Sequence, residues 1–231
     1  MKRLLRLLVI SLLTPLSSLL EISCTQDTYD KGDGTYSMMR GDFAEAQVGS
    51  DKKIVSITTD DDESLPLTQP YTASWIAKAD TFYRCMLYYN KVEDKQGRSS
   101  AEVISLGQFP CANLVRMADF KHEYRSDPVK LQSVWMSKSG KYLNLHLQLM
   151  VGATDDTTAV HQIALLCDTI ITHADSTRTC SILLHHDQNR QPEYYSSDAY
   201  ISLPVSRIPV DTFRLSLNTY QGRVVKSLSK R

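Results

Sequence analysis

From Phe43 onward the chain is patterned with a period of two. The clearest run is Lys141 to Val151, where Leu143, Leu145, Leu147, Leu149 and Val151 share one parity and Tyr142, Asn144, His146, Gln148 and Met150 share the other. Successive side chains of a strand point to opposite faces, so this run predicts a strand with one face on a core and the other toward water. Phe213, Leu215 and Leu217 alternate with Arg214, Ser216 and Asn218 in the same way. Short runs rich in Val, Ile, Thr, Tyr and Leu recur between turn residues, and no sustained helical period interrupts them. The predicted fold class is all-β.

Two hairpins can be drawn from this pattern. Val160–Ile171 and Arg178–His186 flank a polar turn, and folding about the His173-Ala174 midpoint sets Ile163 against Leu184, Leu165 against Ile182, Cys167 against Cys180 and His161 against His186. A Cys167–Cys180 disulfide is expected if the two Cβ atoms approach within about 4.5 Å. The second hairpin runs from Thr81 to Val92 and back along Ala101 to Gly107; centred on Arg98, it sets Val92 against Ile104 and, by extension, Cys85 against Cys111. For that pair two buried free thiols are the alternative. Polar, proline-containing Phe120–Pro128 separates the two regions, giving β units at residues 38–124 and 125–231.

The first residues change the cellular picture. Lys2, Arg3 and Arg6 precede a leucine-rich stretch from Leu7 to Leu20 that contains Pro15 and stops at Glu21. A charged segment followed by a short apolar one reads as a signal peptide over residues 1–23 and is too short for a spanning helix. Cys24 then stands where lipidation would make it the new N-terminus, although Glu21 occupies a position that is apolar in the usual cleavage motif. Ordinary secretion, with Cys24 a spare thiol, is the alternative. Residues 24–37, with Asp27, Asp30, Gly32, Asp33 and Gly34, read as a lipidated N-terminus and flexible tether. The expected location is the outer membrane of a Gram-negative bacterium, on its surface or periplasmic face, with the lipid supplying the membrane contact.

Loss of residues 1–23 removes Lys2, Arg3, Arg6 and Glu21 from 26 Lys+Arg and 26 Asp+Glu, leaving 23 against 25. That balance, without a basic block, argues against a nucleic-acid partner. The order of features resembles the NigD-like lipoprotein family: the anchor and acidic tether, Tyr83–Val92 with its return strand, Asp127-Pro128-Val129, Val134-Trp135-Met136, Lys141–Leu145, His161–Leu165, Leu183–Asp187 and Tyr200–Leu203. The resemblance implies an N-terminal OB-like barrel followed by a C-terminal β-sandwich. Where the family shows His-Asn, this chain has His186-Asp187. The family takes its name from a protein proposed to confer bacteriocin immunity, and the resemblance carries no activity with it.

Candidate chemistry is sparse. The chain has no GxSxG, HExxH, CxxC, Walker-type or EF-hand pattern. Two imidazoles, His161 and His186, would hold zinc or copper only with a third ligand, so a hydrogen-bonded structural pair is favoured and no metal or cofactor is assigned. Asp60-Asp61-Asp62-Glu63 reads as a solvated loop rather than a calcium site, because consecutive carboxylates point apart. Of Tyr71, Trp75, Tyr88, Tyr89, Tyr194, Tyr195 and Tyr200, most are expected to pack in cores. Tyr194 and Tyr195 follow a polar loop and are the ligand-binding candidates, for a glycan or a secreted protein. The functional expectation is a non-enzymatic, lipid-anchored envelope binding protein; the alternative is a bacteriocin-immunity or inhibitor protein. The oligomeric state is not specified by these features.

Overall fold

A computed structural model describes residues 38–230; the expected signal peptide, Cys24 and tether lie outside the described residues. The body from Met38 onward is one compact unit. It begins with β1 (Arg40–Val48), β2 (Ile54–Thr59), β3 (Ser64–Tyr71), β4 (Thr81–Glu93) and β5 (Ser99–Gln108), which close into a barrel of order β1-β2-β3-β5-β4. Closure comes from the nine-residue antiparallel pairing of β1 with β4 and a parallel bridge between Leu67 of β3 and Ala101 of β5. Five strands enclose little space, and the interior alternates small residues, Ala44, Ala46 and Ala101, with large ones, Ile54, Ile57, Leu87 and Tyr89, all fully buried. The Tyr89 hydroxyl donates to Asp42 at 2.9 Å, and burial together with that carboxylate pushes its pKa up to about 12.

The rest of the body is a sandwich of two sheets. One contains β6 (Leu114–Arg116), β9 (Gln162–Thr172), β10 (Arg178–Asp187), β12 (Thr212–Thr219) and β13 (Gly222–Ser229), in the order β13-β12-β10-β9-β6. The other contains β7 (Lys130–Met136), β8 (Tyr142–Val151) and β11 (Tyr195–Pro204), in the order β11-β8-β7. Leu143, Leu145, Leu147 and Leu149 of β8 pack in one core with Leu165, Ile182, Leu184, Phe213, Leu215 and Leu217, as their alternation predicts. β6 pairs parallel with β9, so residues 114–116, read from the sequence as part of the first unit, belong to the second sheet system.

Both hairpins form with registers other than those expected. Between β9 and β10, Asp175 Oδ1 accepts from the Thr177 N–H and hydroxyl, Ser176 takes a φ of 68°, and His173 N–H bonds to Thr177 O at 2.8 Å. This turn centres on Asp175, downstream of the His173-Ala174 midpoint. It sets Cys180 against Ile170, and a bulge at Ser181/Ile182 then sets Ile182 against Cys167, Leu184 against Leu165 and His186 against Ile163. Between β4 and β5, Asp94 Oδ1 accepts from the N–H groups of Gln96 and Arg98, with Gly97 at a φ of 75°. That tight turn sets Val92 against Ser100 and Cys85 against Gln108.

The cysteine expectations change accordingly. Cys85 is sealed in the barrel, its Sγ donating to Ala44 O at 3.4 Å, while Cys111 is exposed and bridges Ser202 of β11. These two do not face each other, which corrects the Cys85–Cys111 pairing. Cys167 and Cys180 are not directly opposite, yet their sulfurs lie 3.4 Å apart as free thiols.

Candidate functional site

The outer face of the three-stranded sheet follows from parity. With the leucines of β8 turned inward, Asn144, His146, Gln148 and Met150 point outward, beside Ser202, Tyr200, Asp198 and Ser196 of β11. One end of this face is covered by the barrel. Arg84 of β4, 6% exposed, reaches from the barrel wall and makes a bidentate ion pair with Asp60 at 2.7 and 2.8 Å. Its Nε donates to Ser202 Oγ at 3.1 Å, a terminal nitrogen donates to Asn144 Oδ1 at 3.1 Å, and the guanidinium lies 4.0 Å from the Tyr142 ring centroid. Asn144 Nδ2 returns a bond to Asp60 at 2.8 Å, and the Tyr142 hydroxyl donates to Glu45 of β1 at 2.8 Å. Phe43 packs edge-on to Phe109 and Tyr200 and lies 5.9 Å from Trp135. Barrel and sandwich are thus joined by one satisfied polar cluster under an aromatic lid.

Beyond the lid the face is open. The Tyr200 ring stacks on His146 at 4.2 Å and 17°, and His146 Nε2 meets Asp198 Oδ1 at 2.8 Å. Gln148 Nε2 donates to the same carboxylate oxygen at 3.1 Å, Gln132 Nε2 donates to Gln148 Oε1 at 3.1 Å, and Lys130 Nζ donates to Ser196 Oγ at 2.7 Å. The bonds from His146 and Gln148 hold the Asp198 carboxyl below the usual carboxylate range. Tyr194, on the same parity as Ser196, Asp198 and Tyr200, is 77% exposed. Tyr195 falls on the inward parity but lies past the core and is 60% exposed. Both ligand-binding candidates are therefore open, and they sit at one end of a strip that finishes at Tyr200.

Tyr194 is held there by Gly152. A Cβ at residue 152 would lie 2.5 Å from Tyr194 Cδ2 and 2.8 Å from Pro192 Cβ. Gly152→Ala is expected to push residues 192–194 off the end of β8 and to cost about 1–3 kcal/mol. Urea melts and the amide shifts of Tyr194 and Glu193 check this; wild-type stability with unmoved shifts would contradict it.

The acidic run is not a uniformly solvated loop. Asp60 is the buried partner of Arg84, Asp61 pairs with Lys138 at 2.9 Å, and Glu63 pairs with Lys91 at 2.5 Å and Arg40 at 3.6 Å. Three of the four acids are used by different bases, so the run is spread rather than convergent. His161 and His186 do meet, Nδ1 to Nε2 at 2.9 Å, with the rings stacked. Among the described residues no three His, Cys, Asp or Glu side chains converge to hold a metal ion, and no helix is long and apolar enough to cross a membrane. Arg84 and Asn144 carry no signal in the sequence beyond their being polar residues within strand-patterned runs.

Residues 110–228 match the family model of the NigD-like C-terminal β-sandwich domain. No protein of curated function matches the chain. Among solved structures, a NigD-like immunity protein from Bacteroides caccae superposes with a TM-score of 0.61 at 21% identity, over 81% of this chain and 91% of that one. A protein of unknown function from Bacteroides vulgatus gives 0.59 at 13% identity, over 83% of this chain and 92% of that one. A Bacteroides fragilis protein proposed to be a lipoprotein gives 0.60 at 9% identity, over 84% of this chain and 98% of that one. At these identities the likeness is one of fold, and it spans barrel and sandwich together. The match over more than half its length makes the chain a member of the NigD-like family.

Proposed function

We propose that this chain is a non-enzymatic binding module of the bacterial cell envelope, tethered by a lipid on Cys24, which takes up a glycan along the outer face of β7, β8 and β11. The observation that carries the reading is the strip from Tyr194 through Ser196 and Asp198 to Tyr200, flanked by His146, Gln148, Gln132 and Lys130. At about 3.3 Å per residue it is roughly 20 Å long, enough for several sugar units. Aromatic rings at both ends stack against the C–H faces of sugars, and planar amides with a carboxylate between them bond to hydroxyls. The strip mixes Lys130 with Asp198 and so favours a neutral polar polymer. Its side chains are already held by mutual hydrogen bonds, which lowers the ordering cost of binding.

A glycan array probed with the mature chain, Cys24 replaced by serine, tests this against a Tyr200→Ala/Asp198→Ala double variant. Saturable binding by the parent that falls at least about tenfold in the variant is expected. An array on which the two behave alike contradicts the reading.

One feature favours capture of a secreted protein, as in an immunity or inhibitor role. β11 ends the order β11-β8-β7, so one of its edges from Tyr195 to Ile201 is open to a partner strand until Cys111 covers Ser202. Loss of bacteriocin protection on deleting the gene, with no glycan bound, would select this second reading.

We also propose that Cys167 and Cys180 join in the oxidising envelope. Exchange with oxidised glutathione would form one protein disulfide and release two reduced glutathiones. Burial raises the Cys180 thiol to about 12 and the Cys85 thiol to about 12, so both react slowly. The 3.4 Å sulfur contact gives Cys180 a neighbour that Cys85 lacks. Peptide mapping after oxidation is expected to find Cys167 linked to Cys180, with Cys85 and Cys111 unlinked. A Cys85–Cys111 peptide would overturn the assignment.

A further inference from the structure

His161 and His186 make three hydrogen bonds that two neutral rings cannot satisfy. His161 Nε2 faces Met150 O at 3.0 Å, His186 Nδ1 faces Asp127 O at 2.9 Å, and the remaining nitrogens face each other at 2.9 Å. Carbonyl oxygens only accept, so each outer nitrogen must carry a hydrogen. Three contacts require three N–H hydrogens, whereas two neutral imidazoles carry two. Leaving one hydrogen out would press two lone pairs together in a site where His186 is 1% exposed. We infer that His161 and His186 form a one-proton clasp, an imidazole–imidazolium pair that holds a shared proton between Nδ1 and Nε2 and ties β8 and the 125–129 segment to the ends of β9 and β10.

The surroundings suit a single positive charge. Asp127 is the carboxylate that acts on His161, and its Oδ2 accepts from the Gln188 N–H at 2.8 Å. On β10, Asp187 lies 3.5 Å from Arg125 and His185 turns to the opposite face, where its Nδ1 accepts from the Arg125 N–H. Near Asp127 stand the Tyr220 hydroxyl and Glu193. A second added proton is resisted, since burial and the positive His186 both push His161 below its ordinary value of 6.5.

The pH dependence follows from proton counts. Below the ordinary histidine value the unfolded chain binds two protons and the folded pair one, so stability falls as pH drops toward the depressed His161 value.

Imidazole ¹⁵N spectra of the full chain across pH 5–9 test the clasp. The expected result is a hydrogen bonded between the two inner nitrogens at neutral pH, with both outer nitrogens protonated throughout. His161→Phe should abolish the shared-proton signal and leave the hydrogen of His186 on Nδ1, facing Asp127 O. Two independent steps at or below the ordinary value would overturn the clasp. So would displacement of the inner proton by equimolar zinc at neutral pH, which would make the pair a metal site.

Discussion

Arg84→Met is expected to lower the unfolding free energy of the body by about 3–5 kcal/mol, read from urea melts of the mature chain. The guanidinium side chain is 3% exposed, and its removal would leave the Asp60 carboxylate, 16% exposed, without a counter-charge. Asn144 and Ser202 would each lose a donor at the same time. A buried charge without its partner is more destabilising than the absence of both, so Arg84→Met/Asp60→Leu should recover a large part of the loss. Because Asp60 and Arg84 belong to the barrel while Asn144 and Ser202 belong to the sandwich, the variant should also loosen the junction. Faster amide exchange at Asn144 and Phe109 would report that loosening. A loss below about 1 kcal/mol would mean that the cluster does not hold the two parts together.

Cys24→Ala is expected to move the protein from the membrane pellet to the soluble fraction of cells. Each buried methylene contributes about 0.8 kcal/mol to anchoring, so losing the two acyl chains proposed on Cys24 would shift the partition by many orders of magnitude. Fractionation at matched expression measures it. A variant that stays with the membrane would contradict the lipid anchor and leave the apolar stretch from Leu7 to Leu20 as the attachment.

Strand parity was legible in the sequence; registers and the junction were not. The alternating leucines of β8 point inward as their spacing requires, and Phe213, Leu215 and Leu217 join the same core. Register depended on the turns. Asp94 and Asp175 each accept two or more hydrogen bonds from residues just downstream and close tight loops at centres that hydrophobic spacing cannot reveal. In the two hairpins Val92 meets Ser100 instead of Ile104, and Leu165 meets Leu184 instead of Ile182. At those two pairs the displacement is even, which keeps the apolar faces in place, whereas across the bulges at Tyr88/Tyr89 and Ser181/Ile182 Cys85 and Cys180 end three residues from their expected partners. His161 with His186, and Cys167 with Cys180, still meet because diagonal neighbours on one face remain within reach of long or polarisable side chains. The Arg84 cluster was illegible for a different reason. Residues 60, 84, 144 and 202 come from four strands or their ends, and only the packing of barrel against sheet brings them together.

The open face beyond that junction was half legible. Tyr194 and Tyr195 could be picked out by the polar loop before them, but the stack of Tyr200 on His146 needs the β8–β11 register, in which those two residues are directly opposite. Asp198 opposite Gln148 comes from the same pairing.

Amide shift mapping with an oligosaccharide from the array tests the binding face most directly. The expected result is a set of shifts confined to residues 194–200 of β11 and to His146, Gln148 and Gln132, saturating together. Shifts on the barrel wall, or in the groove of about 440 Å³ lined by Tyr124, Ser216 and Arg223 on the other sheet, would contradict it.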